Sequence, residues 1–182
     1  MKFTRLYFVL ALLAGLSMQV QLANAAGLTD FKNTPKTIED FSGKGKWLLV
    51  MFWASDCHIC NKEAHSYVDF HFTHSDKDAT VLGISADGKA KFKDAEKFIK
   101  KHSVDFPNLI GEPEDVAALY GKYANSRWVG TPSFLLFNQK GKVMAAQVGA
   151  VPPEVIEDFM EKNMQASSDT KSKSEGTDIV KK

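Results

Sequence analysis

Trp47-Leu48-Leu49-Val50-Met51-Phe52-Trp53-Ala54-Ser55-Asp56-Cys57-His58-Ile59-Cys60-Asn61-Lys62-Glu63 is the stretch that decides the fold. Its first seven residues form an apolar run rich in aromatic and branched side chains, with the length of a strand buried on both faces. Ser55 and Asp56 stop the run. Both residue types favour helix N-caps, so the sequence predicts a strand that turns into a helix, with both cysteines in its first turn. Cys57 then stands at the positive end of the helix dipole. Cys60, three residues on, returns to the same face within disulfide reach.

A Cys-x-x-Cys pair taken alone fits a zinc site, a haem attachment or a redox centre. The surrounding sequence separates them. A tetrahedral zinc site needs four ligands and the chain has only these two cysteines, while haem attachment needs His directly after the second Cys, where Asn61 stands. Redox chemistry is the favoured reading.

With 182 residues, 44% hydrophobic and 25% charged, the chain suits one globular domain with a sizeable core. Lys2 and Arg5 precede the apolar run Leu6 to Leu16, and Ala23-Asn24-Ala25 has the small residues of a signal-peptidase site. Residues 1–25 are therefore expected to be a cleaved signal peptide, and the mature protein periplasmic. The apolar run is shorter than the ~20 residues that span a bilayer, and Gln19 and Gln21 interrupt its continuation, so no stable membrane insertion is expected after cleavage. The remaining chain is nearly neutral, which offers nothing to nucleic acid. Both cysteines lie in one short motif, so no disulfide framework can staple the fold.

Beyond the motif, residues 26–45 read as an irregular lead-in with at most one edge strand. Ala79 to Ser85 reads as a second buried strand. Lys89 to His102 reads as a helix, with Phe92, Ala95, Phe98 and Ile99 inward and lysines on a solvated face. Phe106 to Ile110 is a short extended piece, and Pro113-Glu114-Asp115 opens a helix. Ser133 to Phe137 and Lys142 to Val148 form a hairpin about Asn138-Gln139-Lys140-Gly141, and Pro152-Pro153-Glu154 starts a last helix. The domain is taken as 26–165, followed by a disordered polar tail over 166–182. Alternating strands and helices imply an α/β fold with a parallel sheet, to which the hairpin adds antiparallel strands.

These residues resemble the thioredoxin fold and, within it, the exported TlpA/ResA-like disulfide reductases. Phe52-Trp53-Ala54-x-x-Cys57-x-x-Cys60 matches the thioredoxin signature. Phe41-x-Gly43-Lys44, Cys60-x-x-Glu63, Phe106-Pro107 with Tyr120-Gly121, and Gly130-Thr131-Pro132-Ser133-Phe134 followed by Gly141-Lys142 are similar to the exported branch. The resemblance covers roughly residues 37–163. It implies a central mixed sheet, parallel strands plus an antiparallel C-terminal hairpin, flanked by helices. It further implies a thiol-disulfide oxidoreductase, more a reductase than an oxidase, with no cofactor beyond a redox-active Cys57–Cys60 disulfide. Protein thiol or disulfide substrates are implied, and a membrane electron donor if the protein is a reductase. Pro132 is implied to be cis, facing the cysteines, with Thr131 offering backbone to a substrate strand; by itself an X-Pro bond would be read as trans. The chain departs from the family at Asp56 and Ile59, where an aromatic and a proline are usual, and at Met51, where classical thioredoxins bury an aspartate.

In this reading Cys57 attacks and Cys60 resolves. Glu63, one turn beyond Cys60, is the candidate proton acceptor for its thiol, against the alternative of an ordinary helix glutamate. Asp56 is read as the N-cap and as a group that raises the Cys57 pKa, while the helix end and a protonated His58 lower it. Trp53 is a candidate substrate contact, although packing beneath the motif suits it better. The alternative function is copper binding or delivery through the same cysteines with help from His65, His71 or His74. A peroxidase of the same fold is a weaker third, because no Thr-x-x-Cys pattern occurs.

Overall fold

A computed structural model describes residues 27–175, with side chains through residue 165. The expected signal peptide lies outside the described residues. Chain order is β1 (Thr29–Asp30), a 3-10 turn (Ile38–Asp40), β2 (Trp47–Trp53), α1 (His58–His74), β3 (Ala79–Ser85), α2 (Phe92–Lys101), β4 (Asn108–Ile110), α3 (Pro113–Ala124), β5 (Ser133–Phe137), β6 (Val143–Val148) and α4 (Pro153–Glu175).

All seven residues of β2 are buried, because the strand is central in a six-stranded sheet ordered β1-β4-β3-β2-β5-β6. The period-2 alternation of a strand sorts its side chains onto two cores. Trp47, Leu49, Met51 and Trp53 meet Cys60, Ala64, Tyr67 and Phe70 of α1, Ala95 and Phe98 of α2, and Ile156 and Met160 of α4. Leu48, Val50 and Phe52 meet Ile38 and Val116, Leu119 and Tyr120 of α3 on the opposite face. Three helices thus cover one face and one helix the other, so both faces of the apolar run are dry.

Strands β2, β3 and β4 are parallel, and β5 runs antiparallel between β2 and β6. The mixed sheet with its antiparallel hairpin agrees with the expected thioredoxin fold. The register Trp53↔Ser85 brings the carboxyl ends of β2 and β3 side by side, directly below the start of α1. That edge is where an open α/β sheet presents its chemistry.

The edge strand allowed for in the lead-in is Thr29–Asp30, which pairs antiparallel with the short extended piece, itself the sheet strand β4. One feature differs from the sequence reading. Helix α4 runs to Glu175, ten residues into the stretch read as a disordered tail from residue 166. Neither Gly nor Pro occurs between Glu154 and Glu175, and the first glycine after Pro153 is Gly176. Polar composition removes apolar packing but leaves the i→i−4 ladder intact.

Candidate active site

Cys57 and Cys60 form a disulfide, with Cα atoms 5.2 Å apart. The two sulfurs sit in different environments. Cys57 is half-buried at the mouth of the site, whereas Cys60 is fully buried in the α1 core. Cys57 itself, and not Asp56, is the N-cap of α1: its Sγ accepts from the Cys60 N–H at 3.1 Å. That N–H and the helix dipole both favour a thiolate on Cys57 once the pair is reduced.

The loop carrying Cys57 is held from below by two polar side chains that the sequence reading did not single out. Asp87, just past β3 and 6% exposed, accepts from the Ser55 N–H (2.9 Å), the Ser55 hydroxyl (2.9 Å) and the Ser85 hydroxyl (2.7 Å). Asn61 donates its amide N–H groups to the carbonyls of Ser55 (2.9 Å) and Cys57 (3.0 Å). Its Oδ1 accepts from Lys101 Nζ and from the buried His102 Nε2, each at 3.0 Å. Burial, with Lys101 and His65 nearby, holds the His102 pKa below its usual value, so the ring stays neutral and donates from Nε2. The signal available for Asp87 was its place at the carboxyl end of a strand, where α/β folds put functional groups.

Trp53 is 1% exposed; it stacks on Phe98 with ring centroids 4.3 Å apart and donates from Nε1 to Asn108 Oδ1 at 3.0 Å. It supports the motif from beneath and is not placed to touch a substrate. Gly83 leaves room for this pair, since a Cβ there would fall 2.9 Å from Trp53 Nε1 and closer still to the Asn108 amide.

The other singled-out residues lie in α1, in the turn before it and in the loop before β5. Asp56 is exposed and pairs with Lys91 Nζ at 2.6 Å, and that contact lowers its pKa. The ammonium offsets the charge that would otherwise oppose a Cys57 thiolate. His58 and Ile59 are exposed between the cysteines. Glu63 is half-buried one turn beyond Cys60; burial, and then the Glu63 charge, raises the Tyr67 pKa, so the carboxylate acts on that face of α1. The Thr131–Pro132 peptide is cis, as the resemblance implied. Its loop is pinned by the Ser133 hydroxyl donating to Gly130 O and by the Gly149 N–H donating to Pro132 O at 2.9 Å.

Of the histidines weighed for copper, His71 and His74 are hydrogen-bonded elsewhere and His65 makes a ring contact. His71 Nδ1 accepts from the Val81 N–H at 3.1 Å, and His65 packs its ring against His102. His74 meets Asp78 at 2.8 Å and Glu157 at 3.0 Å, tying the end of α1 to α4. Among the described residues no group of three or more His, Cys, Asp or Glu is arranged to hold a metal ion. Burial of His74 disfavours its charge, but the hydrogen bonds to Glu157 and Asp78 outweigh it and raise the pKa above 6.5. The stabilisation from this pairing is therefore complete below the unfolded-state pKa and is lost as pH rises through the folded-state pKa. The partners are partly exposed, so the effect is expected to be below about 1 kcal/mol. Urea midpoints should fall slightly as pH rises from about 6 to 8 in the native protein and stay level in His74→Gln, with a flat native profile contradicting the assignment.

The chain matches the model of the AhpC/TSA family over residues 20–146. It is 24% identical over 135 residues to the thiol-disulfide oxidoreductase ResA of Bacillus thuringiensis, covering 74% of this chain and 72% of that one. To the ResA of Bacillus subtilis it is 25% identical over 170 residues, covering 87% and 90%. The crystal structure of the thioredoxin domain of a thiol-disulfide oxidoreductase from Bacteroides vulgatus is similar, with a TM-score of 0.59, 26% identity, and 75% of this chain and 95% of that one covered. Among the described residues no helix is long and apolar enough to cross a membrane. With its mixed sheet, its Cys57–Cys60 pair at the start of α1 and the cis-Pro132 loop, this chain belongs to the AhpC/TSA family and has the thioredoxin fold.

Proposed function

We propose that the protein is an exported thiol-disulfide oxidoreductase that reduces protein disulfides outside the cytoplasm. The observation that carries this reading is the asymmetry of the pair: one sulfur at the surface on a helix N-terminus, the other buried one turn deeper. The Cys57 thiolate attacks a substrate disulfide, whose second sulfur leaves as a thiolate, giving a mixed disulfide. Cys60 then loses its proton to Glu63 and attacks Cys57, which releases the second substrate thiolate and closes Cys57–Cys60. Two electrons pass from the protein to the substrate, and an external donor, expected in the membrane, must return them.

Asp56 with Lys91, and His58 above the pair, tune Cys57. By the resemblance to the exported branch, Thr131 beside cis-Pro132 offers its backbone to the substrate chain. The leader-like residues 1–25 support export and a periplasmic site, and the similarity to thiol-disulfide oxidoreductases supports disulfide exchange. Titrating the pair in glutathione or dithiothreitol buffers tests the direction. A midpoint close to about −270 mV supports a reductase, and one close to about −120 mV makes the protein an oxidant.

A further inference from the structure

Lys89 to Lys101 carries six lysines against Asp94 and Glu96, a net charge of +4 in a chain whose formal charge is +1. In sequence this is the solvated face of an amphipathic helix. The structure gives it a neighbour. Lys97 and Lys101 of α2, with Lys91 at its N-cap and Asp94 in its first turn, line a cavity of about 390 Å3, whose other wall is Ser55, Asp56 and Asn61 around Cys57; three ammonium groups there face two carboxylates. Phe98, almost fully buried, also lines it.

The three ammonium groups are not equivalent. Lys91 pairs with Asp56 and Lys97 with Asp94 at 2.8 Å, both in exposed geometry where exchange for another carboxylate costs little. Lys101 Nζ rests on the neutral Asn61 Oδ1 at 3.0 Å, and among the described residues no carboxylate lies within ion-pair distance of it. The same Asn61 amide holds the Cys57 carbonyl at 3.0 Å, so Lys101 Nζ lies within roughly 8 Å of that carbonyl oxygen. An extended chain covers that distance, and the few further ångströms from the carbonyl to the Cys57 sulfur, in two or three residues at about 3.3 Å each once the reach of the acidic side chain is added. A positive charge in a concave site attracts anions and raises their encounter rate.

We infer that the protein substrates carry acidic side chains two or three residues from the target disulfide, seated in this cavity on Lys97 and Lys101 while Cys57 attacks. The inference rests on the proposed exchange reaction and names its substrate class. Exposed Ile59 and Val129 leave apolar surface on the motif and beside the cis-Pro132 loop for the rest of the substrate chain.

The test uses three peptides with one common disulfide, flanked by glutamate, glutamine or lysine pairs. Single-turnover reduction by the fully reduced protein is measured, with each rate divided by that for dithiothreitol to remove differences in peptide chemistry. At low salt the glutamate peptide is expected to react about tenfold faster than the lysine peptide, with glutamine between. The ratio should approach one in about 1 M salt, where the Debye length is about 3 Å. Lys97→Glu combined with Lys101→Glu is expected to reverse the order; because the ratio is taken within one protein, any change in thiol reactivity cancels. Equal normalised rates for native protein at low salt, or an unchanged order in the double variant, overturn the inference. If the glutamine peptide is not reduced at all, the exchange reaction itself is wrong; if it is reduced without any ranking by charge, only the acidic substrate class fails.

Discussion

Cys57→Ser is expected to lose at least about a thousandfold in disulfide reduction, with the fold intact. A serine hydroxyl is not ionised near neutral pH and cannot form a disulfide with the substrate, so neither the mixed disulfide nor its resolution remains. Cys57 is half-buried at the helix start, and an oxygen there can still accept the Cys60 N–H, so the cap survives. Cys60 differs because it is fully buried among Trp53, Ala64 and other core residues. Cys60→Ser places a hydroxyl in that apolar setting and is expected to cost about 1–3 kcal/mol. Insulin reduction together with urea unfolding under reducing conditions separates the two variants. A Cys57→Ser protein that still turned over would remove Cys57 from the reaction.

The second large effect is expected at Asp87. Its removal leaves the Ser55 N–H and the hydroxyls of Ser55 and Ser85 without their acceptor beneath the active-site loop. Hydrogen bonds to a charged group contribute about 1.5–3 kcal/mol each and share a common loss here, so Asp87→Ala is expected to cost about 2–4 kcal/mol. Asp87→Asn keeps one acceptor oxygen but turns an N–H toward a donor, and should cost roughly half as much. Because Ser55 lies two residues before Cys57, the loop is expected to loosen as well, which shifts the reduction potential of the pair. Stability is read from urea midpoints with the cysteines reduced, and potential from a redox titration. A loss of stability with an unmoved potential would make Asp87 a core residue without influence on the chemistry.

Legibility followed distance along the chain. The strand, the turn and the cysteines of residues 47–63 form one local signal, because burial on both faces, a helix start and a three-residue sulfur spacing are all written within a single stretch. An edge strand in residues 26–45 and an extended piece at Phe106–Ile110 were legible, but not that the two pair, since two or three residues show too little alternation to fix a partner. Helix α4 continues into residues 166–175, a polar stretch without Gly or Pro to interrupt its backbone ladder.

Within the site, the cysteines and the cis-Pro132 loop were found from motif and resemblance, while the clamps around them were not. Asp87 reaches Ser55 across 32 residues, Lys91 reaches Asp56 across 35, and His102 reaches Asn61 across 41. Such pairs exist only after β3 and α2 have packed beside β2 and α1. Asp56 misled for a related reason. Its residue type favours a cap, but α1 starts one residue later than the polar pair suggests, and the side chain turns outward to Lys91.

The central claim is that Cys57 forms the covalent bond to the substrate and Cys60 breaks it. Mixing reduced Cys60→Ser protein with a disulfide-bonded peptide, and weighing the intact product and its proteolytic fragments, reads this directly. The account predicts a stable adduct of one peptide, reversed by reductant and located on the fragment that contains Cys57. Unmodified protein that nonetheless releases peptide thiol, or an adduct on a fragment without Cys57, would contradict it.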